Sequence, residues 1–457
     1  MDTKALRQKI LDLAIHGKLV PQDPNDEPAS VLLERIRAEK ERLIKEGKIK
    51  KGKKSAKTSD KPHYPFELPK GWCFTNIGEL LINRDGERKP VSSAIRSKQL
   101  NKIYDYYGAA GVIDKIDDYL FDEKLLLIGE DGANLLSKSK NNAFFAEGKY
   151  WVNNHAHVLD ATDKNLLEYV AIVINAIKLD DYITGSAQPK LSQDNLNKIP
   201  IVLPPLSEQK RIMEAIIHWS LLIEQIEQNK IDLQASIKQA KSKVLDLAIH
   251  GKLVQQDPND EPASELLKRI NPKAETITDN GHYQKLPDGW CLTILGSIGT
   301  WQSGATPSRL RKDYYGGNIP WLKTGDLNDG IITNIPEFIT EKALEETSVK
   351  LNPTDSILIA MYGATIGKIG ILSFPATTNQ ACCACLDYKI DKMYIFYFLL
   401  SNRINFVSMG GGGAQPNISK EKIVNTTFPL PPLAEQKRIV SKIEELFNQL
   451  DMIEESL

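Results

Sequence analysis

The sequence has no apolar run long enough to cross a membrane. No stretch approaches the ~20 consecutive apolar residues that a membrane span needs. The amino terminus, MDTKALRQKI, carries charges where a signal peptide would have its apolar region. We therefore expect a cytoplasmic protein.

Cysteine is scarce, and no metal-ligand spacing accompanies it. Five cysteines are present, and Cys382, Cys383 and Cys385 in ACCACLDY lie too close together for the usual pair of zinc knuckles, with no second Cys/His pair nearby. Cysteines buried in a strand are favoured over a metal site. His155 and His157 in NNHAHVL could be two ligands on one face of a strand, but no third ligand is apparent. Structural or hydrogen-bonding histidines are favoured there, and no metal site is predicted.

Catalytic signatures are also lacking. The string MYGATIGKIG has only three residues between Gly363 and Gly367, and Ile369 stands where a phosphate-binding loop needs Ser or Thr. An adenine methyltransferase needs a polar residue, two prolines and an aromatic at its base pocket, whereas the proline pairs here stand in LPPL contexts. No glycine-rich cofactor loop follows a strand. The sequence therefore predicts a protein without catalytic residues or a cofactor of its own.

An excess of basic charge is missing as well. The chain has 58 Lys and Arg against 59 Asp and Glu, for a formal net charge of -1, so its overall field does not indicate nucleic acid. One basic stretch stands out, KEGKIKKGKKSAKTSDK from Lys45 to Lys61. This stretch could follow a phosphate backbone or serve as a plain flexible tether, and both interpretations stay open.

What the sequence does contain is a long internal repeat. The segment from Ile10 to Ile36 returns almost unchanged from Val244 to Ile270. Two more pairs follow in the same order, LPKGWCFTNIGEL with LPDGWCLTILGSI, and PIVLPPLSEQKRI with FPLPPLAEQKRI. The protein is therefore a tandem duplication, and the segments between the matched pieces, roughly 81 to 184 and 299 to 411, differ much more than their flanks.

The two divergent segments have the character of mixed α/β domains. Short apolar runs such as KLLLIGE, WVNNHAHVL, DSILIAMYG and KIGILSF are broken by Gly, Asn and Asp. Such a pattern predicts several short strands joined by long loops. We call the two domains the first head and the second head.

A long helix is predicted between the heads. Ser207 is a plausible N-cap after a proline pair, Gly251 supplies the C-terminal stop, and the apolar steps alternate four and three except at Lys230. We interpret this pattern as one coiled-coil helix of about 44 residues. The alternative, a long amphipathic core helix, fits the strict 3.5-residue period of the pattern less well. The seam positions are Ile212, Ile216, Trp219, Ile223, Ile226, Leu233, Ile237, Ala240, Val244 and Leu247.

The second copy of this helix begins after Pro431-Pro432 and is cut short. The repeat aligns Leu457 with Lys230 and Met1 with Ala235, so apolar residues at the amino terminus continue the seam. The duplication is thus circular. We expect an α+β fold with two mixed α/β heads joined by an antiparallel coiled coil of two long helices, one continuous and one assembled from both termini, related by a pseudo-two-fold axis.

The predicted organisation has six parts. They are an N-terminal helical region at 1–46, a basic linker at 47–61, the first head at 62–205, a central helical region at 206–281 with its long helix at 207–250, the second head at 282–430 and a C-terminal helix at 431–457.

Two divergent heads on one spacer suit a protein that reads two half-sites separated by unread base pairs. Arg, Asn and Gln contact base edges, while Lys, Ser, Thr and Tyr suit phosphates, although an exposed, solvated role stays open for each residue. The candidates are Arg84, Arg88, Lys89, Arg96, Lys98, Asn101, Lys102, Tyr104, Tyr106 and Tyr107 in the first head, and Gln302, Ser303, Thr306, Ser308, Arg309, Arg311, Lys312, Tyr314 and Tyr315 in the second.

These pieces resemble the specificity subunit of type I restriction-modification enzymes over essentially the whole chain. The resemblance is carried by LDLAIHGKLVPQDPNDEPAS and its repeat, by both PPLxEQKRI helix starts, and by SGATPSRLRKDYYGGNIPWLKTGDL with TTNQA in the second head. The first head has a different pattern, RDGERKP, YYGAAGVIDKIDDYLFD, LLIGEDGANL and WVNNHAHVL.

The resemblance implies a non-catalytic subunit that reads a bipartite, asymmetric site on double-stranded DNA. It implies two modification subunits that bring S-adenosylmethionine and methylate adenine, and two restriction subunits that bring ATP and Mg. Partner subunits would then contribute many of the cations that bind the DNA phosphates, so the near-neutral charge of this chain is consistent with the resemblance. The strings GSAQPKLS and GGAQPNIS, with Gln188, Lys190, Gln415 and Asn417, would lie close to DNA, or their Gly and Pro would simply shape a turn.

Two other function classes stay open. The first is a fused single-chain methyltransferase-restriction enzyme that has lost its catalytic portion, which the absence of cofactor motifs disfavours. The second is a structural adaptor whose heads bind protein, which the divergence of the heads on a preserved scaffold disfavours.

Overall fold

The computed structural model describes residues 2–49, 67–185, 188–277, 286–411 and 416–457. The chain divides into two compact units, residues 1–229 and 230–457, each of which contains one head. No helix within the described ranges is long and apolar enough to cross a membrane.

The first unit contains short strands and helices between two longer helices. Its elements are α1 (Thr3–Ile15), α2 (Ala29–Lys45), β1 (Cys73–Asn76), α3 (Ile77–Leu80), β2 (Ile82–Asn83), α4 (Ser93–Arg96), β3 (Tyr104–Gly108), β4 (Gly111–Ile116), β5 (Phe121–Asp122), β6 (Leu125–Gly129), α5 (Asn134–Ser137), β7 (Ala143–Ala146), β8 (Lys149–Val152), β9 (Ala156–Asp160), α6 (Asn165–Ala176), α7 (Gln193–Lys198), β10 (Pro200–Leu203) and the start of α8 (Leu206–Ile249).

The second unit repeats this plan. After the end of α8 come α9 (Ala263–Ile270), β11 (Cys291–Ile294), β12 (Thr300–Ser303), β13 (Tyr315–Leu322), β14 (Gly330–Ile332), β15 (Phe338–Ile339), α10 (Glu341–Glu346), β16 (Ile357–Ala360), β17 (Ile369–Leu372), β18 (Thr377–Thr378), β19 (Cys382–Leu386), α11 (Lys392–Ser401), α12 (Arg403–Met409), α13 (Lys420–Val424), β20 (Thr427–Leu430) and α14 (Leu433–Glu455).

Each head has a larger sheet, a smaller sheet and a two-stranded ribbon. The larger sheets have the orders β2-β9-β6-β7 and β12-β19-β16-β17-β14, and the smaller sheets β4-β3-β8-β5 and β15-β13-β18. The ribbons β1-β10 and β11-β20 join the entrance and exit of each head. The expected mixed α/β heads are confirmed.

Buried apolar side chains fill the space between the larger sheet and its helices in each head. Helices α6 and α11 have buried faces packed into these cores, with Tyr169 and Tyr394 buried. The Tyr169 hydroxyl donates to the Val202 carbonyl at 2.7 Å, and the Tyr394 hydroxyl donates to the Pro429 carbonyl at 2.9 Å. The predicted burial of Cys382, Cys383 and Cys385 in a strand is confirmed, because all three lie in β19 with no exposed surface.

The long helix is present, with one error at its start. Helix α8 has 44 residues, about 66 Å at 1.5 Å per residue. The assignment of Ser207 as N-cap is wrong, because the helix already begins at Leu206 and the Gln209 N–H donates to the Pro205 carbonyl. The proline pair, with its fixed φ, starts the helix.

Only some of the predicted seam positions of α8 are buried. Ile223 and Ile237 are buried, but Trp219 is 44% exposed, and Ile226 and Leu233 are 39% exposed each. Alternate seam positions are therefore exposed among the residues that the structure describes. A heptad pattern identifies an apolar row but not what covers that row.

The second unit contains an antiparallel helix pair, and the first unit has an equivalent ion pair between α1 and α8. In the second unit, Lys230 Nζ lies 2.7 Å from the carbonyl oxygen of Leu457, and Lys241 Nζ lies 2.5 Å from an Asp451 carboxylate oxygen and 3.4 Å from one of Glu454, so α8 and α14 run in opposite directions. In the first unit, Arg7 of α1 pairs with Glu227 of α8 at 3.1 Å. The repeat aligns Arg7 with Lys241 and Glu227 with Glu454, so the same ion pair occurs in both units.

A buried carboxylate connects each of these helices to its head. Glu208 accepts hydrogen bonds from Trp72 Nε1 at 2.9 Å and from Gln22 Nε2 at 3.1 Å. Its repeat Glu435 accepts from Trp290 Nε1 at 3.0 Å and from Gln256 Nε2 at 3.1 Å. Burial raises the pKa of Glu435 above its usual value.

A glycine turn after α1 and after α8 packs against the same indole in each unit. Gly17 and Gly251 have φ of +64° and +65°. A Cβ on Gly17 would lie 2.4 Å from Pro69 Cγ, and one on Gly251 would lie 2.3 Å from Pro287 Cγ. Both positions therefore require glycine for conformation and for space.

We predict that Gly17→Ala destabilises the first unit more than Gly47→Ala does. Gly47 also has a positive φ, +72°, but nothing lies within 4 Å of the position that a Cβ would occupy there. The control Gly47→Ala should therefore lower the free energy of unfolding only through left-handed backbone strain, by about 1 to 2 kcal/mol. Gly17→Ala should lower it by about 1 to 3 kcal/mol more, because its Cβ overpacks the site. Differential scanning calorimetry measures the difference, and equal shifts would contradict the close approach to Pro69.

Candidate nucleic-acid interface

The two heads share one strand framework. In the first head β6 pairs antiparallel with β9, which places Ile128 opposite His157. In the second head β16 pairs antiparallel with β19 in the same way, which places Ile359 opposite Cys383. The framework makes positions in one head directly comparable with positions in the other.

The Gln188 and Gln415 strings attach to the same place on this framework. In the first head the Leu191 N–H donates to the Glu130 carbonyl at 2.7 Å, and the Gly132 N–H donates to the Pro189 carbonyl at 3.0 Å. The second head has matching bonds from Ile418 to Met361 at 2.9 Å and from Gly363 to Pro416 at 2.8 Å. Gln415 lies outside the described residues, as do residues 186–187 and most of the basic run.

A buried charge network lies under the loop of the first head. His157, 1% exposed, places Nδ1 2.7 Å from Asp85 and Nε2 2.8 Å from the Leu191 carbonyl. Arg88 donates to Glu130 at 2.7 Å and lies 3.4 Å from Asp85. Burial alone would raise the pKa of Asp85, but the His157 hydrogen bond and the nearby Arg88 charge hold that pKa below its usual value.

Nearby carboxylates bind both histidines of the string NNHAHVL. Asp85 and Glu130 bring carboxylate groups to His157, and these ligand atoms lie within 4.8 Å of one another. Both His157 nitrogens already have partners, and the Arg88 guanidinium supplies the positive charge there. His155 instead pairs with Asp131 at 2.7 Å. Both residues make the hydrogen bonds that the sequence analysis favours, and the absence of a metal ion at this place stays a prediction.

The equivalent position in the second head is apolar. Cys383 replaces His157 in the framework, and Met361 replaces Glu130; both side chains are buried. Burial raises the pKa of Cys383 to about 12. The two heads therefore support the same loop with charges in one case and with apolar packing in the other.

The string MYGATIGKIG forms no phosphate-binding loop. It joins β16 to β17, which are antiparallel neighbours, and Gly367 has a φ of +77°. A phosphate-binding loop leads from a strand into a helix. The rejection of a nucleotide site there agrees with this geometry.

Several predicted contact residues of the first head have internal partners. Arg84 pairs with Glu87, Glu123 and Asp160, while Arg88 and Arg96 have largely buried side chains, and Tyr106, 1% exposed, does not reach the surface. Lys102 pairs with Asp114, and Lys190 pairs with Glu130. Those that are exposed are Lys89, Lys98, Asn101, Gln188 and Lys190, with Lys102, Tyr104 and Tyr107 half-buried.

The second head presents more of its predicted residues. Tyr314 is buried and its hydroxyl donates to Glu346 at 2.9 Å, while Gln302 donates to Asn352 at 2.8 Å. The exposed residues are Thr306, Ser308, Arg309, Arg311, Lys312 and Asn417, and the half-buried ones are Gln302, Ser303 and Tyr315. DNA contact by any of these residues stays a prediction.

An arginine clamp that sequence reasoning missed lies in the first head. The Arg96 guanidinium sits 4.2 Å from the centre of the Tyr106 ring in β3 and bonds Asp114 of β4 at 2.8 Å. Lys102 bonds the other Asp114 oxygen at 2.8 Å. These hydrogen bonds keep the pKa of Asp114 far below its usual value.

The second head has a matching clamp. Arg309 lies 4.9 Å from the Trp321 ring of β13 and pairs with Glu337, which also binds Lys323 at 2.9 Å. Trp321 and Tyr106 are equivalent, since each lies on a strand with one antiparallel and one parallel neighbour. The similar strings LNKIY and LRKDY were the available sequence signal for these loops.

Two divergent α/β heads that present cations and amides on duplicated scaffolds define a recognition protein. The sequence profile described as "Type I restriction modification DNA specificity domain" matches residues 69–237 and 287–457. The chain therefore belongs to the type I restriction-modification DNA specificity family, and its role is DNA recognition without catalysis.

Known relatives agree over nearly the full length. The chain is 29% identical to the specificity subunit of the type I restriction enzyme EcoAI from Escherichia coli, over 97% of this chain and 88% of that protein. The HsdS subunit from Thermoanaerobacter tengcongensis has a TM-score of 0.52 at 16% identity, covering 86% of this chain and 93% of its own. A chain from a study of complex assembly in the type I restriction-modification system has a TM-score of 0.51 at 16% identity, covering 86% and 94%. Specificity subunits of this kind assemble with other subunits.

We predict that Asp85→Asn destabilises the first unit by about 3 kcal/mol, because it removes the negative charge that faces buried His157 and Arg88. Glu87→Gln is the control, since Glu87 is an exposed partner of Arg84 and its loss costs about 0 to 1 kcal/mol. Chemical denaturation compares the two. Equal midpoints would show that the network does not hold the head together.

Proposed function

We propose that each head reads one half of a bipartite, asymmetric site on double-stranded DNA. The observation that carries this proposal is the common framework with different contents: the same strand registers and the same loop attachment support charges in one head and apolar residues in the other. Two heads of this kind suit two different half-sites. The loop is attached at the same framework position in both heads, but the side chains that pack beneath it differ.

Partner subunits would carry out the reactions that follow DNA recognition by this chain. Two modification subunits would bring S-adenosylmethionine and methylate adenine, and two restriction subunits would bring ATP and Mg. This chain would contribute no cofactor of its own and would act in the cytoplasm, where these partners meet DNA.

Uncovered apolar residues on α8 support docking of the modification subunits. Trp219 and Ile226 stand seven residues apart, on one face of the helix, and both are exposed outside the head. Exposed apolar rows of this kind on a helix mark places where another protein packs. A helix of a modification subunit is the occupant that we propose for this row.

We predict that exchanging residues 299–411 for those of a relative changes only one half of the methylated site. The divergent segment contains the second head's strands and loops, whereas β11, β20 and α14 stay in place. Methylome sequencing of cells that carry the exchanged chain measures the outcome. A change in both halves would refute two independent readers, and unchanged methylation would favour an adaptor whose heads bind protein.

A second prediction concerns docking. The double variant Trp219→Lys and Ile226→Lys should lose the modification subunits, since it places charges in the proposed apolar contact. Gln225→Lys, also exposed on α8, adds the same kind of charge outside that row and should keep them. Native mass spectrometry of the co-expressed subunits counts the partners, with circular dichroism to check that the helix persists. Two modification subunits on the double variant would rule out this docking surface.

A further inference from the structure

The most exposed large apolar side chains in the described part of the chain occur once in each head. Leu100 is 96% exposed and Leu310 is 94% exposed. Single exposed apolar residues are common on protein surfaces. These two differ because each projects from a loop held by the arginine clamp of its own head.

In the first head the loop joins α4 to β3. It leaves the helix at Arg96 and reaches β3 after Lys102, and both of these cations bind the Asp114 carboxylate at 2.8 Å. The Arg96 side chain is largely buried against Tyr106. Both ends of the loop are thereby fixed, while Leu100 between them stays almost fully exposed.

In the second head Leu310 directly follows Arg309. The guanidinium of Arg309 contacts the rings of Tyr315 and Trp321 at 4.4 and 4.9 Å and pairs with Glu337. Trp321 Nε1 also donates to the Ala305 carbonyl at 3.1 Å, which fixes the preceding loop segment. Leu310 is therefore also an exposed tip on a braced loop.

Cations surround both tips. Lys98 and Lys102 stand two residues before and after Leu100, and Arg309, Arg311 and Lys312 flank Leu310. Within the described ranges, no ion pair involves Lys98 or Lys312, so both ammonium groups can reach phosphates. Leu100 and Lys98 line an open cavity of about 850 Å³ together with Asp117 and Asp118, so Lys98 stands between this acidic pair and the phosphates that it would contact.

We propose that Leu100 and Leu310 are wedge residues that insert between neighbouring bases of the duplex, one in each half-site. The inference rests on the proposed DNA-reading function. Unstacking a base step costs energy, so a wedge must be both apolar and rigidly held. An exposed leucine can be enclosed by bases above and below, and the clamps supply the rigidity.

The test uses the chain assembled with its modification subunits and a duplex containing the methylome-defined site. 2-Aminopurine placed in either half-site reports unstacking, and fluorescence anisotropy reports affinity. Leu100→Ala should weaken binding roughly tenfold, as expected for lost apolar burial, and should remove the 2-aminopurine signal in one half-site only. Leu310→Ala should do so in the other half-site, and Leu100→Met and Leu310→Met should keep both signals.

Leu136→Ala and Leu351→Ala are the matched controls, since these leucines are about half exposed in the first and second heads. The wedge is overturned if the tip variants bind and unstack like the wild type, if affinity falls while unstacking persists, or if the tip variants lose the modification subunits. If the wild-type complex itself shows no preference for the methylated site, the proposed function fails instead.

Discussion

The buried glutamate at the start of each long helix is the interaction on which each unit depends. Glu208 and Glu435 receive an indole N–H from the segment that enters the head and an amide N–H from the loop after the glycine turn. One carboxylate thus joins three segments that are far apart in sequence. Leaving a buried carboxyl group without hydrogen-bond partners is costly, so these bonds stabilise the junction of the three segments.

This anchoring leaves the interior of each head free to diverge. The ribbons β1-β10 and β11-β20 close each head beside its anchor with backbone hydrogen bonds, which do not depend on the side chains further inside the head. The His157 and Cys383 positions illustrate the result. The same strand position tolerates an ion network or an apolar core, because the framework hydrogen bonds around it come from the backbone.

Features with a local or repeated signal could be predicted from the sequence, including the duplication, the long helix, the mixed α/β heads and the buried cysteines. The burial or exposure of the individual candidate contact residues could not be predicted. The sequence predicts Tyr106 as a contact residue, yet its ring is covered by Arg96, because β3 pairs with β4 in a way that no local pattern reveals. The exposure of Trp219 and Ile226 could not be predicted either. Their apolar heptad pattern is the same whether or not another element covers it.

The internal ion pairs also account for a near-neutral chain in a DNA-recognition role. Arg84, Arg88, Arg96 and Arg309 each face a carboxylate of their own head, so their charges stabilise loops and contribute little attraction at a distance. Paired in this way, these four arginines add little to phosphate binding, and each phosphate contact that a protein lacks makes the salt dependence of its DNA binding shallower. Under the proposed function, discrimination between sequences would then come from short-range contacts at the loop tips, and the subunits that assemble with this chain would supply most of the non-specific affinity.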